Sequence, residues 1–248
     1  MLIWDALIFP FKEKNSFKNF LPFIIITCIC LCFSTCPALE SFIKGLPVVG
    51  SILCSIIVYI ICSLYPTGYL IVLCHNKIND KEEVIPKWYN FINLSMKGFS
   101  IVIITHIYLF LFSIILFLIV LLAVAIGVVF PVLSAFQDLI FILLVIILGI
   151  LLISILLIVT MAYAENLDFS DAFCIYNISS TISRNIPALL LLYFYIGILF
   201  LLFAIVSIIF WYIIKVEIIN SLIFSLIWSY FSSCIAYLAA SYYLKKIC

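Results

Sequence analysis

The chain is 248 residues long, 68% hydrophobic and 9% charged, with 12 Lys and Arg against 11 Asp and Glu and a formal net charge of +1. Soluble domains run at about 45–50% apolar and about 25% charged residues, so a soluble globular fold is excluded, and so near-neutral a chain lacks the basic footprint of a nucleic-acid partner. A hydrocarbon core of about 30 Å takes about 20 helical residues to cross, whereas a transmembrane barrel reads as alternating segments of about 10. The unbroken Leu, Ile, Val and Phe runs therefore predict an all-α polytopic membrane protein, one integral membrane domain over residues 1–248 with six transmembrane helices.

In chain order, residues 4–18 form an amphipathic, interfacial segment, and the first span follows at Asn19–Cys36. Lys12, Lys14 and Lys18 before an apolar run resemble a secretory signal. The run ends Ser34-Thr35-Cys36-Pro37, however, and proline after the candidate cut disfavours cleavage, so the first helix is expected to remain. The second span, Leu46–Cys74, contains Tyr65-Pro66-Thr67-Gly68-Tyr69. Proline lacks an N–H and its ring clashes with the carbonyl four residues earlier, here that of Cys62, so a kink and a freed carbonyl are expected.

Residues 86–99 are read as an interfacial helix: Trp88, Phe91, Ile92, Met96 and Phe99 share an arc of roughly 140°, with Asn90, Asn93 and Lys97 opposite. The third span is Ile101–Phe130 and the fourth Leu139–Ala164. A weaker interfacial segment covers 170–184, with Asp168 and Ser170 as N-cap candidates. Pro187–Ile214 and Ile218–Leu244 complete the six. Segments before each pair of spans make the chain read as three helical hairpins, beginning near Met1, His75 and Glu165.

Loop charge sets orientation. With the N-terminus inside, Lys12, Lys14, Lys18, Lys77, Lys81, Lys87, Lys97, Arg184, Lys245 and Lys246 fall on one side and only Lys44 and Lys215 on the other. Both termini are thus expected in the cytoplasm of a cell whose cytoplasmic membrane holds the protein. The connections between spans on the other side are short, so the cytoplasmic face offers the larger surface for recognition.

Several of these features resemble a prokaryotic membrane family, domain of unknown function 4013. The carriers are Phe9-Pro10-Phe11-Lys12, Gly68-Tyr69, the acidic pair Glu82-Glu83 followed by Pro86-x-Trp88, and Gly98 before the third span. The resemblance covers nearly the whole chain. It implies a multi-pass membrane protein and brings no activity, cofactor or catalytic residue with it.

Motifs that would name a reaction are missing: the sequence has no HExxH, GxSxG, P-loop or GxGxxG. No enzyme activity, cofactor or metal is therefore expected. Ten cysteines are present, and Cys28, Cys32 and Cys36 share a helical face, but without paired CxxC elements they read as small hydrophobes. The middle of every span lacks charge, which argues against ion coupling. His106, beside Thr105 and Tyr108, reads as a hydrogen-bonded histidine near the interface.

The last span has the densest constellation. Ser221, Ser225, Ser229, Ser232, Ser233, Ala236, Ala239 and Ala240 lie within an arc of about 120°, a small-residue seam suited to close helix packing, with Leu238 pointing elsewhere. A polar cavity is expected where the Pro66 kink meets this seam, with Cys62, Pro66, Gly68, Ser232 and Ser233 as its residues and the two hydroxyls donating to the freed Cys62 carbonyl. These features favour a permease-like protein, or one handling lipids or small amphiphiles, without ion coupling. The alternative is a non-catalytic scaffold or subunit organising envelope or membrane partners. The expected partners are membrane lipids and other membrane proteins.

Overall fold

The computed structural model describes residues 2–12, 16–34, 48–81, 83–87, 90–129, 134–174, 178–179, 186–213 and 217–247. Among them the protein is all-helical. The helices are α1 (Leu2–Lys12), α2 (Ser16–Ser34), α3 (Val48–Ile78), α4 (Phe91–Val129), α5 (Ser134–Asn166), α6 (Ile186–Ile213) and α7 (Glu217–Ile247), with a single 3-10 turn at Asp171–Phe173. Four stretches are long and apolar enough to cross a bilayer: Phe91–Leu122, Ile142–Asn166, Leu189–Tyr212 and Ile223–Tyr243. They make this a membrane protein.

Helix α7 is the hub, packing against α1, α2, α3, α5 and α6. Half of its most apolar stretch is buried, against 11% in each of α4, α5 and α6. Sequence explains the difference. Ser225, Ser229, Ser233, Ala239 and Ala240 are buried at 0–3% exposure and let neighbouring backbones come close, whereas α6 is Leu, Ile and Phe nearly all round and leaves Leu190, Phe194, Leu201 and Trp211 outward. Leu238 is also fully buried, in a cluster with Tyr69, Leu73, Leu199 and Cys234. This corrects the expectation that Leu238 points away from the packing: helices approach α7 from several directions, so its buried arc is wider than the serine seam.

The aromatic residues of α1 and α2 close one flank. Phe9 stacks on Tyr237 with ring centroids 4.4 Å apart, and Phe23 stacks on Tyr69 at 4.3 Å. The Tyr230 hydroxyl donates to the Leu7 carbonyl. Ala6 and Phe9 are buried while Trp4, Ile8 and Phe11 are exposed, so α1 lies against α7 by one face.

No break separates residues 91–99 from the third span. From Phe91 the helix runs 39 residues, about 58 Å at 1.5 Å per residue, so the separate interfacial helix is corrected to the opening turns of α4. Two glycines give the reason. A Cβ on Gly98 would lie 1.8 Å from the Leu64 carbonyl oxygen, and one on Gly68 would lie 1.7 Å from that of Leu94. The backbones of α3 and α4 therefore touch at this crossing, and α4 is already docked on α3 at the level where it was expected to lie flat. Ile92, Met96 and Phe99 are exposed, and Phe91 is half-exposed but stacks on Tyr65 at 4.8 Å. Trp88 lies outside the described residues, as do most of 175–185 and the connection 37–45.

Candidate functional site

Gly68, expected to border a cavity facing α7, sits in the α3–α4 crossing instead, where the Leu94 carbonyl fills the space a side chain would take. Helix α3 continues through the half-buried Pro66, and the hydroxyl of Thr67 donates to the Ser63 carbonyl one turn back. The Cys62 side chain lies outside the described residues. Ser232 and Ser233 do not serve as donors to another helix: their hydroxyls bond to the Ser229 carbonyl at 3.0 Å and the Tyr230 carbonyl at 2.7 Å. Ser229 and Ser241 likewise donate to Ser225 and Tyr237, four residues back. A serine that satisfies its own hydroxyl on the preceding turn is a small residue for packing. The hydroxyl-lined groove is accordingly replaced by a close-packed seam, and Cys74 of α3 reaches across it to the Ala236 carbonyl at 3.5 Å.

Polar chemistry collects instead at the lysine-rich end, where α3 and α5 finish and α4 begins. Helix α5 stops at Asn166, with Leu167 in the left-handed region at φ 58° and its N–H returning to the Tyr163 carbonyl. The carbonyls this leaves are taken up by α3. His75 Nδ1 lies 2.8 Å from the Ala164 oxygen and 3.1 Å from that of Glu165, and Asn79 Nδ2 donates to the Glu165 oxygen at 3.1 Å and to the His75 carbonyl at 2.9 Å. The Asn79 amide also lies 3.1 Å from His75 Nδ1, so this ring nitrogen has the Ala164 and Glu165 carbonyls and an amide around it. Burial pushes the His75 pKa down, the carbonyl of Ala164 works against that, and the charge of Lys81 adds to the lowering. Tyr243 of α7 donates to Glu165 Oε2 at 3.0 Å, and Tyr108 of α4 donates to the Ala172 carbonyl at 2.7 Å. Four helices are thus laced together here. Asp168 closes a turn by accepting from the Ser170 N–H at 3.0 Å, while Ser170 caps the 3-10 turn without a side-chain bond.

Beside this hub, described residues of the α3–α4 loop and the first turns of α4 line an open groove of about 300 Å³. Val72, Ile85, Pro86 and Leu94 supply apolar lining; Asn76, Asn90 and Asn93 supply amides; Lys81, Lys87 and Lys97 supply charge, with Glu83 the acid. Glu83 pairs with Lys87 at 3.4 Å. The Asn76 amide holds the loop by donating to the Val84 carbonyl at 3.1 Å. Sequence reasoning counted Lys81 and Lys87 only for topology, and Lys97 for topology and as part of a polar helix face. The signal was present in Asn90, Asn93 and Lys97 on one arc, which is a groove wall as well as a polar face.

His106 is exposed on α4, with Nδ1 2.7 Å from the Val102 carbonyl of its own helix. No group of His, Cys, Asp and Glu suited to a metal occurs among the described residues. Cys74 and Cys234 are buried free thiols and Cys174 is a half-buried one; Cys28, Cys32 and Cys36 lie outside the described side chains.

Membrane-length apolar helices gathered around a serine- and alanine-lined hub define a helical membrane protein without a recognisable reaction centre among the described residues. The family model described as "Protein of unknown function (DUF4013)" matches residues 49–214, about two thirds of the 248, and the chain belongs to this family. Gly68-Tyr69, Glu82-Glu83, Pro86 and Gly98 fall within the match; Phe9–Lys12 precede it. No curated protein and no solved structure matches the chain.

Proposed function

We propose that this protein is a non-catalytic membrane scaffold or subunit that crosses the cytoplasmic membrane six times and presents its lysine-rich end, with both termini, to the cytoplasm. One observation carries the choice over a permease. The contact between α3 and α7 is close, with Tyr69, Leu73, Ser233, Cys234 and Leu238 all at 0% exposure, so the place where a polar cavity was expected is filled by side chains. The orientation follows from the lysine distribution. The six crossings are the four membrane-length stretches together with α2 and α3, of 19 and 31 residues. The hydrogen-bonded junction of α3, α4, α5 and α7 gives the cytoplasmic end a fixed shape, as a platform for another protein requires.

Substituted-cysteine labelling tests the reading in a background lacking the native cysteines. A cysteine at Ser233 stays unlabelled by a water-soluble maleimide while one at Lys87 reacts from the cytoplasmic side. In parallel, a photo-crosslinker at Asn166 yields a discrete protein adduct in cells. Labelling at Ser233 together with the absence of any adduct would favour the permease-like reading, which the exposed apolar helices of the protein also suit.

A further inference from the structure

We infer that the groove between the α3–α4 loop and the first turns of α4 binds a phosphate-bearing anion. The inference stands on the groove alone and holds for a scaffold and a permease alike. Lys81 enters from the end of α3, Lys87 from the loop and Lys97 from α4, so chain folding brings three cations from separate segments into one concavity. Among the described residues its one carboxylate, Glu83, is engaged by Lys87 at 3.4 Å. Lys81 and Lys97 have no carboxylate within ion-pair distance among the described residues; Lys97 is half-buried and Lys81 exposed. Like charges lining one concavity, one of them half-buried, make an arrangement that an anion favours.

The rest of the lining suits phosphate in particular. Asn90 and Asn93 add amide donors beside the lysines, and the Asn76 bond to the Val84 carbonyl fixes the loop wall, so Asn76 is a positioning residue. About 300 Å³ is at the small end of ligand sites and fits a phosphomonoester or a lipid headgroup. Ile92, Met96 and Phe99 lie on an adjoining arc of α4, roughly 110° round the helix from Asn93 and Lys97. The recognition element is therefore the phosphate, and both a soluble phosphomonoester and a phosphatidic acid headgroup present it.

Thermal unfolding of the full chain in nanodiscs tests this. One arm titrates glycerol 3-phosphate against phosphatidylcholine discs; the other compares those discs with discs containing phosphatidic acid. The unfolding temperature is expected to rise by a few degrees in at least one arm: a rise with glycerol 3-phosphate assigns a soluble ligand, and a rise only with phosphatidic acid assigns the lipid. In the responding arm, Lys97→Gln and Lys81→Gln each weaken half-saturation about tenfold. Lys77→Gln removes the same charge at the same end but outside the groove, where Lys77 lies over the Tyr237 ring, and leaves half-saturation unchanged. Unliganded unfolding temperatures of the variants show whether they fold, and phosphorus NMR of Lys87→Gln gives an independent reading of occupancy. No rise in either arm, or equal weakening by Lys77→Gln and Lys97→Gln, overturns the site.

Discussion

Helices α6 and α7 are neighbours in sequence, similar in length and both apolar, yet one faces outward and the other holds the molecule together. The difference lies in side-chain size. Bulky residues surround α6 and leave Phe194, Leu201 and Trp211 more than 60% exposed, whereas α7 interleaves Ser225, Ser229, Ser233 and Ala240, all at 0%, with Leu238. In lipid, bulk apolar surface gains nothing by turning inward, so position is decided by how close two backbones can come. The same rule acts more sharply where Gly68 meets Gly98, and it is silent at Gly149 and Gly197, where an added Cβ would have nothing within 4 Å.

The largest effect that would break or sharpen this contrast is at the glycine crossing. Gly68→Leu is expected to cost above about 3 kcal/mol, because the Leu94 backbone cannot yield as a flexible side chain would. Gly149→Ala and Gly197→Ala, in open positions of α5 and α6, are expected to be neutral or stabilising by up to about 1 kcal/mol. Fraction folded in detergent, read by size-exclusion chromatography after a temperature series, separates the two classes. Similar losses at all three positions would dissolve the distinction between hub and outer helices.

Next is the core itself. Leu238→Ala should lose about 2–3 kcal/mol, since it empties a fully buried site, and Leu201→Ala, at 61% exposure, should lose less than about 0.5 kcal/mol. Reversible unfolding in mixed micelles measures both, and equal losses would contradict the placement of α7. A smaller change of opposite sign is expected at Tyr65. Its hydroxyl is buried with no hydrogen-bond partner among the described residues, so Tyr65→Phe should raise stability by about 1 kcal/mol; a loss of that size would mean the hydroxyl is bonded after all.

The smallest effect concerns pH at the α3–α5 junction. The pKa of His75 is lowered in the folded protein, so the unfolded chain takes up the proton first as pH falls. Stability should be constant above the ordinary histidine value of about 6.5 and decline below it until the folded His75 also protonates. His75→Asn should flatten that part of the profile, as followed by unfolding temperature against pH. An unchanged slope in the variant would show that another group titrates there.

Much of this was legible in the sequence, for identifiable reasons. Two of the long apolar runs, expected at Leu139–Ala164 and Pro187–Ile214, form the helices Ser134–Asn166 and Ile186–Ile213, because apolar length is a direct physical requirement of the bilayer. The small-residue seam was legible from its arc. Side-chain partners were not: whether a serine bonds across to another helix or back to its own turn depends on local geometry, and Ser232 and Ser233 chose their own helix. Gly98 read as a boundary before a span, whereas it is a contact, since a glycine that ends a helix and one that admits a neighbour look alike in sequence. The groove went unread because Lys81, Lys87 and Lys97 are separated by a loop whose return path no periodicity specifies.

The central claim is that α7 is shielded within the bundle while α4, α5 and α6 face lipid. Footprinting the unmodified protein with a lipid carrying a diazirine in its acyl chain, and mapping adducts by mass spectrometry, tests it most directly. Adducts are expected at outward residues such as Phe117, Ile147 and Leu201, all above 60% exposure, and none at Ser225, Ser229, Ser233 or Leu238. Adducts along that α7 seam at the yield seen on α6 would contradict the account.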